Sequence, residues 1–328
     1  MTFKLLLYAP EWPKSPGHPE DNLCKWPEVL KREIFGIDVS VATSFGEAIE
    51  GIADADAAFG NIDTEIFSYA RNLKWLACPL AGPPHGWYHE SLIKSDVVVT
   101  NARDIFNDHI SSHILAFILA FSRGLNNYLP HQIGKEWHRP AYPVVHLPDS
   151  TILIVGVGGI GGETARLCKA FGLTVLATDP RVNHKPYGVD ELHSPEGIAA
   201  FIPRADFVVS TVPETPATQG YFNSQFFSQM KEGSFFINIG RGATVVLKDL
   251  NRALVSGHLS GAALDVFQTE PLPSDHPLWV APGVMITPHV AGEGPYLADR
   301  RTELFIENCK RFAKGDRLIN VVDKENWF

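Results

Sequence analysis

The chain has 328 residues, of which 45% are hydrophobic and 20% are charged, proportions that are ordinary for a globular protein. Because this length exceeds what one hydrophobic core usually organises, we expect two domains. The net charge of −9 and the isoelectric point of about 5.8 argue against nucleic acid or an anionic membrane as partner, since either needs a basic face. A local basic pocket for a small anion is compatible with this balance.

The cysteines lie far apart, with neither a C-x-x-C pair nor metal-ligand spacing; they are Cys24, Cys78, Cys168 and Cys309. This spacing indicates free thiols in a reducing compartment and no metal site. The first residues lack both the apolar run and the small-residue cleavage site of a signal peptide. The longest apolar run, 114–121, is too short for a membrane span. We therefore expect a cytoplasmic protein.

The first hundred residues alternate short apolar runs with polar stretches of helical character. This alternation predicts βα units around a parallel sheet. The predicted strands cover 3–9, 37–43, 57–61, 74–79 and 97–100. A long helix, 107–125, has apolar residues at helical spacing and is expected to cross between the domains.

The segment 126–150 is rich in proline, histidine and aromatic residues and is too long for an ordinary loop. One interpretation is an arm that packs on a partner subunit. The other is an irregular cover over the core of the same chain. The sequence leaves both open.

A second alternation follows, and its apolar runs are continuous rather than alternating. Continuous runs are typical of parallel strands that are covered on both faces. The predicted strands cover 151–156, 173–179, 207–212, 234–240, 260–267 and 284–288. A final amphipathic helix begins at about Leu297.

The first turn of the second half carries the pattern Gly156-x-Gly158-x-x-Gly161 between a predicted strand and a predicted helix. In that context the glycines allow a tight turn and close approach to a pyrophosphate, which the helix N-terminus attracts. Asp179 ends the next strand and is expected to bind the adenosine ribose hydroxyls, which favours NAD over NADP. Arg181 partly offsets this preference. The alternatives are a plain βα turn and, for Asp179, a turn or capping role.

Three ionisable residues lie at the ends of predicted strands in the second half: Arg241, Glu270 and His289. Ligands of open parallel sheets bind outside the carboxyl ends of the strands, so these residues are expected to share one crevice with the glycine turn. A guanidinium holds a carboxylate bidentately, and histidine exchanges protons near neutral pH. A carboxylate beside the imidazole orients it and favours its protonated form. Hydride chemistry on a 2-oxo acid needs this set, although each residue alone has an ordinary structural reading.

Five stretches resemble the D-isomer-specific 2-hydroxyacid dehydrogenases: "GVGGIGGETAR", "VVSTVPETPATQGYFN", "FFINIGRGATV", "AALDVFQTEPLPSDHPLW" and "MITPHVAG". The resemblance runs in order from about residue 100 to the end and points to the glyoxylate/hydroxypyruvate reductase-like branch. It implies that Arg241 binds the substrate, that His289 is the acid/base and that Glu270 tunes it. Glutamate at 270 disfavours the formate-oxidising branch, which has glutamine there.

The same resemblance implies the cofactor contacts. Asp265 would contact the nicotinamide carboxamide, and Thr211, Val212 and Pro213 would line the adenosine side. The remaining implied cofactor-binding positions are Gly159, Ile160, Ile239, Gly240, His289, Ala291 and Gly292. The implied fold is α/β with two parallel-sheet domains. A flavodoxin-like substrate domain comprises 1–101 and 291–328, and a Rossmann dinucleotide-binding domain comprises 102–290.

The stretch "LKWLACPLAGPPHGW" stands where the family carries its substrate-carboxylate loop, which implies Leu80, Ala81 and Gly82 as substrate-binding residues. It departs from the usual "G-V-D" ending, since prolines follow and remove backbone donors. The aromatic residues His85, Trp87 and Tyr88 either shape the pocket or only pack the following helix. His109 and His113 are expected to be structural.

The sequence therefore predicts a homodimeric, NAD(H)-dependent reductase of a small 2-oxo acid, with NADP possible. Glyoxylate and hydroxypyruvate are the leading candidate substrates, and bulkier 2-oxo acids come next. The alternatives are a nucleotide-sensing corepressor of the same fold and a phosphite-oxidising enzyme with a similar Arg–Glu–His set.

Overall fold

The computed structural model describes residues 2–8, 25–83, 86–139, 141–181 and 185–327. The chain forms two compact units. Unit 1 comprises Met1–Ile105 and Glu293–Phe328, and unit 2 comprises Phe106–Gly292. The domain boundaries predicted from the sequence were after residue 101 and after residue 290.

Unit 1 is built on a parallel sheet with the strand order β2-β1-β3-β4-β5. The strands are β1 (Phe3–Tyr8), β2 (Ile37–Ala42), β3 (Ala57–Gly60), β4 (Trp75–Ala77) and β5 (Val98–Thr100). The helices are α1 (Trp26–Glu33), α2 (Phe45–Ile52), α3 (Thr64–Ser68), α4 (Glu90–Ile93) and, from the end of the chain, α10 (Leu297–Lys314). This order is that of the flavodoxin-like doubly wound fold.

Aromatic side chains tie α10 into the core of unit 1. The rings of Trp26 and Phe305 stack with centroids 4.6 Å apart, and Phe59 meets both edge-on. Trp87 and Tyr88 are also buried in unit 1, where Tyr88 stacks on Trp327. Both lie in one core cluster with Leu92 of the following helix, α4, and His85 lies outside the described residues.

Unit 2 contains a parallel sheet with the strand order β12-β11-β10-β9-β6-β7-β8. The strands are β6 (Thr151–Val155), β7 (Thr174–Thr178), β8 (Glu191–His193), β9 (Phe207–Ser210), β10 (Phe235–Asn238), β11 (Gly261–Leu264) and β12 (Val284–Ile286). The helices are α5 (Asn107–Ser122), α6 (Leu125–Ile133), α7 (Gly159–Ala170), α8 (Ser224–Gln229) and α9 (Leu247–Val255). The strand order reverses between β6 and β9, which marks the crevice where such sheets bind dinucleotides.

The fold class predicted from the sequence is confirmed, because a strand forms within each predicted strand range and the final helix begins at Leu297. Strand β8 was missed. It is an exposed edge strand whose three residues, Glu-Leu-His, include a single apolar side chain. No run of apolar residues marks such a strand, because only one of its faces is covered.

The segment 126–150 begins inside a helix that the sequence did not predict. Helix α6 contains Pro130 and has no buried residue. Further along, Leu147 is buried and Val145 packs against the core of unit 2. The end of the segment therefore covers its own core, whereas α6 stands exposed.

The thiols of Cys78, Cys168 and Cys309 are free and buried, and Cys24 lies outside the described residues. Burial raises the pKa of Cys78 and Cys168 to about 12, which makes both poor nucleophiles. No helix in the described part of the chain is long and apolar enough to cross a membrane.

Candidate active site

The glycine turn joins β6 to α7 with the geometry that the sequence predicts. Gly156 has a φ of +94°, a conformation that side chains rarely adopt. A Cβ at Gly161 would overlap the carbonyl oxygen of Gly156, so the third glycine lets helix and strand pack closely. Thr211 closes the turn from β9, because its hydroxyl donates to the Gly156 carbonyl over 2.6 Å.

The space in front of the turn is open. A Cβ added at Gly158 would meet only the Nη2 atom of Arg181 within 4 Å, at 3.2 Å. Helix α7 begins at the next residue, Gly159, so its N-terminal N–H groups lie at this opening. Open space, unpaired helix N–H groups and a nearby cation together fit a pyrophosphate. The turn can therefore hold a dinucleotide.

Asp179 is buried behind the turn, with 4% of its surface exposed. Its Oδ2 accepts the N–H of Val157 over 2.9 Å, and its Oδ1 accepts the N–H of Arg181 over 2.9 Å. The Arg181 guanidinium pairs with the same carboxylate at 3.3 Å. The acidic residue and the offsetting cation that the sequence picked out thus form one ion pair.

Other predicted cofactor residues lie on the same rim of the sheet. Val212 lies against Gly156 and Gly240, and Pro213 follows it half-buried. Ile160 packs against the core, and the side chain of Ile239 is buried within it. The last two positions therefore offer main chain rather than side chain to a ligand.

The turn after β10 carries Arg241 between two glycines. Neither glycine has a positive φ. A Cβ at Gly240 would overlap the Val212 carbonyl oxygen, and one at Gly242 would overlap the main chain of Phe267. The glycines therefore serve close packing of the turn on its neighbours, not a left-handed backbone conformation.

Hydrogen bonds fix the Arg241 main chain. Its carbonyl accepts the Asn238 side-chain amide over 3.1 Å and the Thr244 hydroxyl over 2.6 Å. Burial lowers the pKa of the guanidinium, while Glu214 and Glu270 act in the opposite direction. Arg241 stays cationic at neutral pH, and two nearby carboxylates favour that charge.

His289 and Glu270 form a direct pair. The Nδ1 atom of His289 lies 2.7 Å from Glu270 Oε2, and Glu270 Oε1 accepts the Phe267 N–H over 2.7 Å. The carboxylate is thus fixed on one oxygen and holds the imidazole with the other. About half of the His289 side chain, 52%, is exposed.

Asp265 is buried, with 1% exposed, directly behind the His289 loop. Its Oδ1 accepts the Thr287 hydroxyl and the Val290 N–H, and its Oδ2 accepts the Ala291 N–H. Contact with a nicotinamide carboxamide stays a prediction. The sequence did not show that this carboxylate also holds the loop.

The predicted loop Leu80–Gly82 lies in unit 1, with its carbonyls fixed. The Leu80 carbonyl accepts the Ala102 N–H over 3.1 Å, and the Ala81 carbonyl accepts the Asn101 side-chain amide over 2.8 Å.

Arg301 on α10 was missed by the sequence analysis. Burial lowers the pKa of the Arg301 guanidinium to about 10, although Glu293 and Cys78 act in the opposite direction. The sequence feature that could have singled it out is an arginine on the inner face of an amphipathic helix.

The structure thus brings Arg241, Glu270 and His289 together at the carboxyl ends of the neighbouring strands β10, β11 and β12. Gly156 and Thr211 directly follow β6 and β9 of the same sheet. Among the described residues, no group of His, Cys, Asp and Glu side chains is arranged to hold a metal ion.

Comparison with known proteins agrees with this geometry. The family model "D-isomer specific 2-hydroxyacid dehydrogenase, NAD binding domain" matches residues 115–291. An uncharacterised protein of Corynebacterium melassecola is 30% identical over 84% of this chain and 91% of its own length. Glyoxylate/hydroxypyruvate reductase A of Serratia proteamaculans is 39% identical, but the match covers only 56% of this chain and 57% of that protein.

Two solved structures match almost the whole chain. One is an NADPH-dependent glyoxylate/hydroxypyruvate reductase from Sinorhizobium meliloti in complex with NADP and sulfate. It has a TM-score of 0.83, 28% identity, and coverage of 99% and 100% of the two chains. The other is a D-isomer specific 2-hydroxyacid dehydrogenase from Xanthobacter autotrophicus Py2 in complex with NADPH and MES. It has a TM-score of 0.83, 26% identity and full coverage of both chains.

The fold and these matches define a nicotinamide-dependent oxidoreductase whose cofactor is NAD(P). The chain belongs to the D-isomer specific 2-hydroxyacid dehydrogenase family. The family predicted from the sequence is confirmed, together with its glyoxylate/hydroxypyruvate reductase-like branch.

Proposed function

We propose that the protein reduces a small 2-oxo acid to the D-2-hydroxy acid, with glyoxylate and hydroxypyruvate as the leading substrates. The observation that carries the proposal is the His289–Glu270 pair at 2.7 Å, on strand ends next to the one that bears Arg241. A carboxylate-binding cation and an oriented proton donor are what a 2-oxo acid requires. The Serratia and Sinorhizobium relatives are named as glyoxylate/hydroxypyruvate reductases, which supports the same substrate class.

The nicotinamide supplies the hydride that C2 of the substrate receives. Arg241 binds the substrate carboxylate with its planar fork. His289 gives a proton from Nε2 to the carbonyl oxygen, and Glu270 holds the ring through Nδ1 and stabilises the imidazolium. Leu80, Ala81 and Gly82 stay predicted substrate ligands in unit 1.

The direct test is oxidation of NADH and of NADPH, followed at 340 nm, against glyoxylate, hydroxypyruvate, pyruvate, phenylpyruvate and a branched 2-oxo acid. A strong signal with one compound identifies the substrate. If no compound of the panel supports oxidation of NADH or NADPH, while fluorescence shows that NADH still binds, the proposal is overturned. Phosphite is then the next compound to assay, and NADH-dependent association with a partner protein tests the corepressor alternative.

Replacing His289 tests the proton donor. We expect His289→Ala to lower kcat by about 10²- to 10⁴-fold, the usual contribution of general acid–base catalysis. Binding of NADH, measured by fluorescence titration, should stay within a few-fold of wild type. His276→Ala is the control, because it removes a histidine whose Nδ1 accepts the Leu278 N–H and which does not pair with Glu270 in the described part of the chain. A His289→Ala variant with wild-type kcat contradicts the assignment.

For the cofactor, we propose a preference for NADH over NADPH. The support is the buried Asp179 carboxylate, because a 2′-phosphate would lie beside its charge. Arg181 is already paired with Asp179, so it offers a phosphate less than a free guanidinium does. The Sinorhizobium and Xanthobacter relatives were crystallised with NADP or NADPH, which makes a direct measurement necessary.

The substitution Asp179→Ser is the test of this preference. It removes the carboxylate that would repel a 2′-phosphate and that pairs with Arg181. We expect the ratio of kcat/KM for NADPH to that for NADH to rise by about tenfold or more, as loss of one charge–charge term of about 1.4 kcal/mol implies. Asp190→Ser, which removes a surface partner of Lys169, is the control. An unchanged ratio would place Asp179 away from the ribose.

We also propose that the protein is a homodimer that associates through α6. Leu125, Leu129 and Ile133 are spaced by four residues, so they share one face of this helix. Their exposed fractions are 47%, 52% and 84%. Water contact with three large apolar side chains in a row is unfavourable, and a second copy of the chain would bury them.

A further inference from the structure

His113 and Thr287 are polar residues of unit 2 that the proposed mechanism does not use. His113 lies half-buried on α5, where its ring meets Phe117 edge-on. Its Nε2 atom is 3.1 Å from the hydroxyl oxygen of Thr287, which directly follows β12. The Thr287 hydroxyl lies in turn 2.6 Å from Asp265 Oδ1. The three side chains form a hydrogen-bonded chain that ends on a buried carboxylate.

The direction of this chain follows from its chemistry. A carboxylate oxygen only accepts, so the single hydroxyl proton of Thr287 is donated to Asp265. The Thr287 oxygen is then an acceptor toward His113, and the proton between them belongs to the His113 ring. His113 is therefore the tautomer protonated on Nε2. Burial lowers the pKa of His113, although the nearby charge of Asp265 acts in the opposite direction. The lowered pKa favours the neutral ring.

The far end of the chain is the main chain that carries His289. The Asp265 carboxylate accepts the N–H groups of Val290 at 2.9 Å and Ala291 at 3.0 Å. The Asp265 carbonyl accepts the N–H of His289 over 2.8 Å. His289 itself has a φ of +55°, a left-handed conformation that is unfavourable for a residue with a Cβ. These bonds on both sides of His289 offset that strain.

We propose that His113 and Thr287 are positioning residues that act through Asp265 to hold the His289 main chain in its left-handed conformation. The consequence for catalysis rests on the proposed role of His289 as the acid/base. Without the Thr287 hydroxyl, Asp265 loses a donor and the His113 N–H loses its acceptor. The carboxylate then turns, and the imidazole no longer meets Glu270 at its present distance of 2.7 Å.

Kinetics of paired variants test the catalytic consequence. Thr287→Val keeps the shape but removes the hydroxyl, whereas Thr287→Ser keeps the hydroxyl. We expect Thr287→Val to lower kcat by about 10- to 100-fold with KM and the NADH dissociation constant within about twofold, the pattern of a lost transition-state interaction. Thr287→Ser should recover most of this loss. Ser122→Ala is the matched control, because it removes a buried hydroxyl of α5 that bonds only its own helix.

His113→Phe is the second variant. It keeps an aromatic ring against Phe117 and removes the donor, so it should reproduce the Thr287→Val pattern. If Thr287→Val does not fold, His113→Phe decides the question. Wild-type kcat in either folded variant would overturn the proposal.

A measurement without substrate separates this inference from the proposed function. In protein labelled with ¹⁵N-histidine, the His113 ring should give the spectrum of the Nε2–H tautomer at neutral pH, assigned by its loss in His113→Phe. The His289 ring signals should shift in Thr287→Val and stay unchanged in Ser122→Ala. An Nδ1–H tautomer for His113, or unshifted His289 signals, would refute the hydrogen-bonded chain even if the enzyme proves inactive on every 2-oxo acid.

Discussion

At the scale of single residues, the surroundings of Arg241 show how a cation is held at a strand end. Gly240 and Gly242 have ordinary φ values, and each is needed because a Cβ would overlap the main chain of a neighbouring segment. Asn238 and Thr244 then bind the Arg241 carbonyl. The main chain is therefore fixed, and the guanidinium donates from Nη1 to the Gly240 carbonyl over 2.6 Å.

The planar guanidinium of Arg241 gives the prediction for a single residue. A lysine keeps the charge but loses bidentate geometry, so Arg241→Lys should raise KM for the 2-oxo acid by about 10- to 100-fold, with one charge-assisted hydrogen bond lost. Steady-state kinetics on the substrate found in the panel measures this change. Arg204→Lys, at an exposed ion pair with Glu191, is the control. Unchanged KM in Arg241→Lys would show that the carboxylate binds elsewhere.

At the scale of elements, three neighbouring parallel strands place their functional side chains on one edge of the sheet. Each of β10, β11 and β12 is followed by a short turn that carries one of Arg241, Glu270 and His289. The sequence predicted this meeting, because strands of one parallel sheet end on one side. It did not predict the role of Thr287, since a threonine before "PH" has no pattern of its own.

Helix α6 is the element that gives the prediction on assembly. The double variant Leu129→Lys with Ile133→Lys places two cations on the exposed apolar face. In sedimentation equilibrium at micromolar concentration, we expect the wild type to be a dimer and this variant to be a monomer. The control is Val255→Lys, which changes an exposed apolar residue of α9 with 66% exposure. A monomeric wild type, or a variant that still dimerises, would contradict the assignment of this face.

At the scale of the whole molecule, both units contain a histidine whose pKa burial lowers: His89 in unit 1 and His113 in unit 2. The Nδ1 atom of His89 accepts the Leu92 N–H at the start of α4, which requires that nitrogen to be unprotonated. Both rings therefore favour the neutral form in the folded chain.

The sign of the pH dependence follows from these directions. The folded pKa values lie below the ordinary value of 6.5, so the unfolded chain binds more protons near and below that pH. The free energy of unfolding should hold above pH 6.5 and fall as the pH drops through the lower, folded values. Urea titrations at pH 7.5, 6.5 and 5.5 measure it. His89→Asn, which keeps a capping acceptor, should flatten the fall. A fall of equal steepness in the variant would show that His89 does not contribute.

The fold class and the ionisable residues at the strand ends could be predicted from the sequence, because buried parallel strands leave continuous apolar runs and glycine turns leave a fixed spacing. The family followed from the resemblance of five stretches. The atoms that these residues contact became known from the folded structure. It showed that Asp179 pairs with Arg181, that the glycines beside Arg241 serve close packing, and that Asp265 holds the His289 loop. Such contacts join residues far apart in the chain, and their distances depend on packing that no local pattern records.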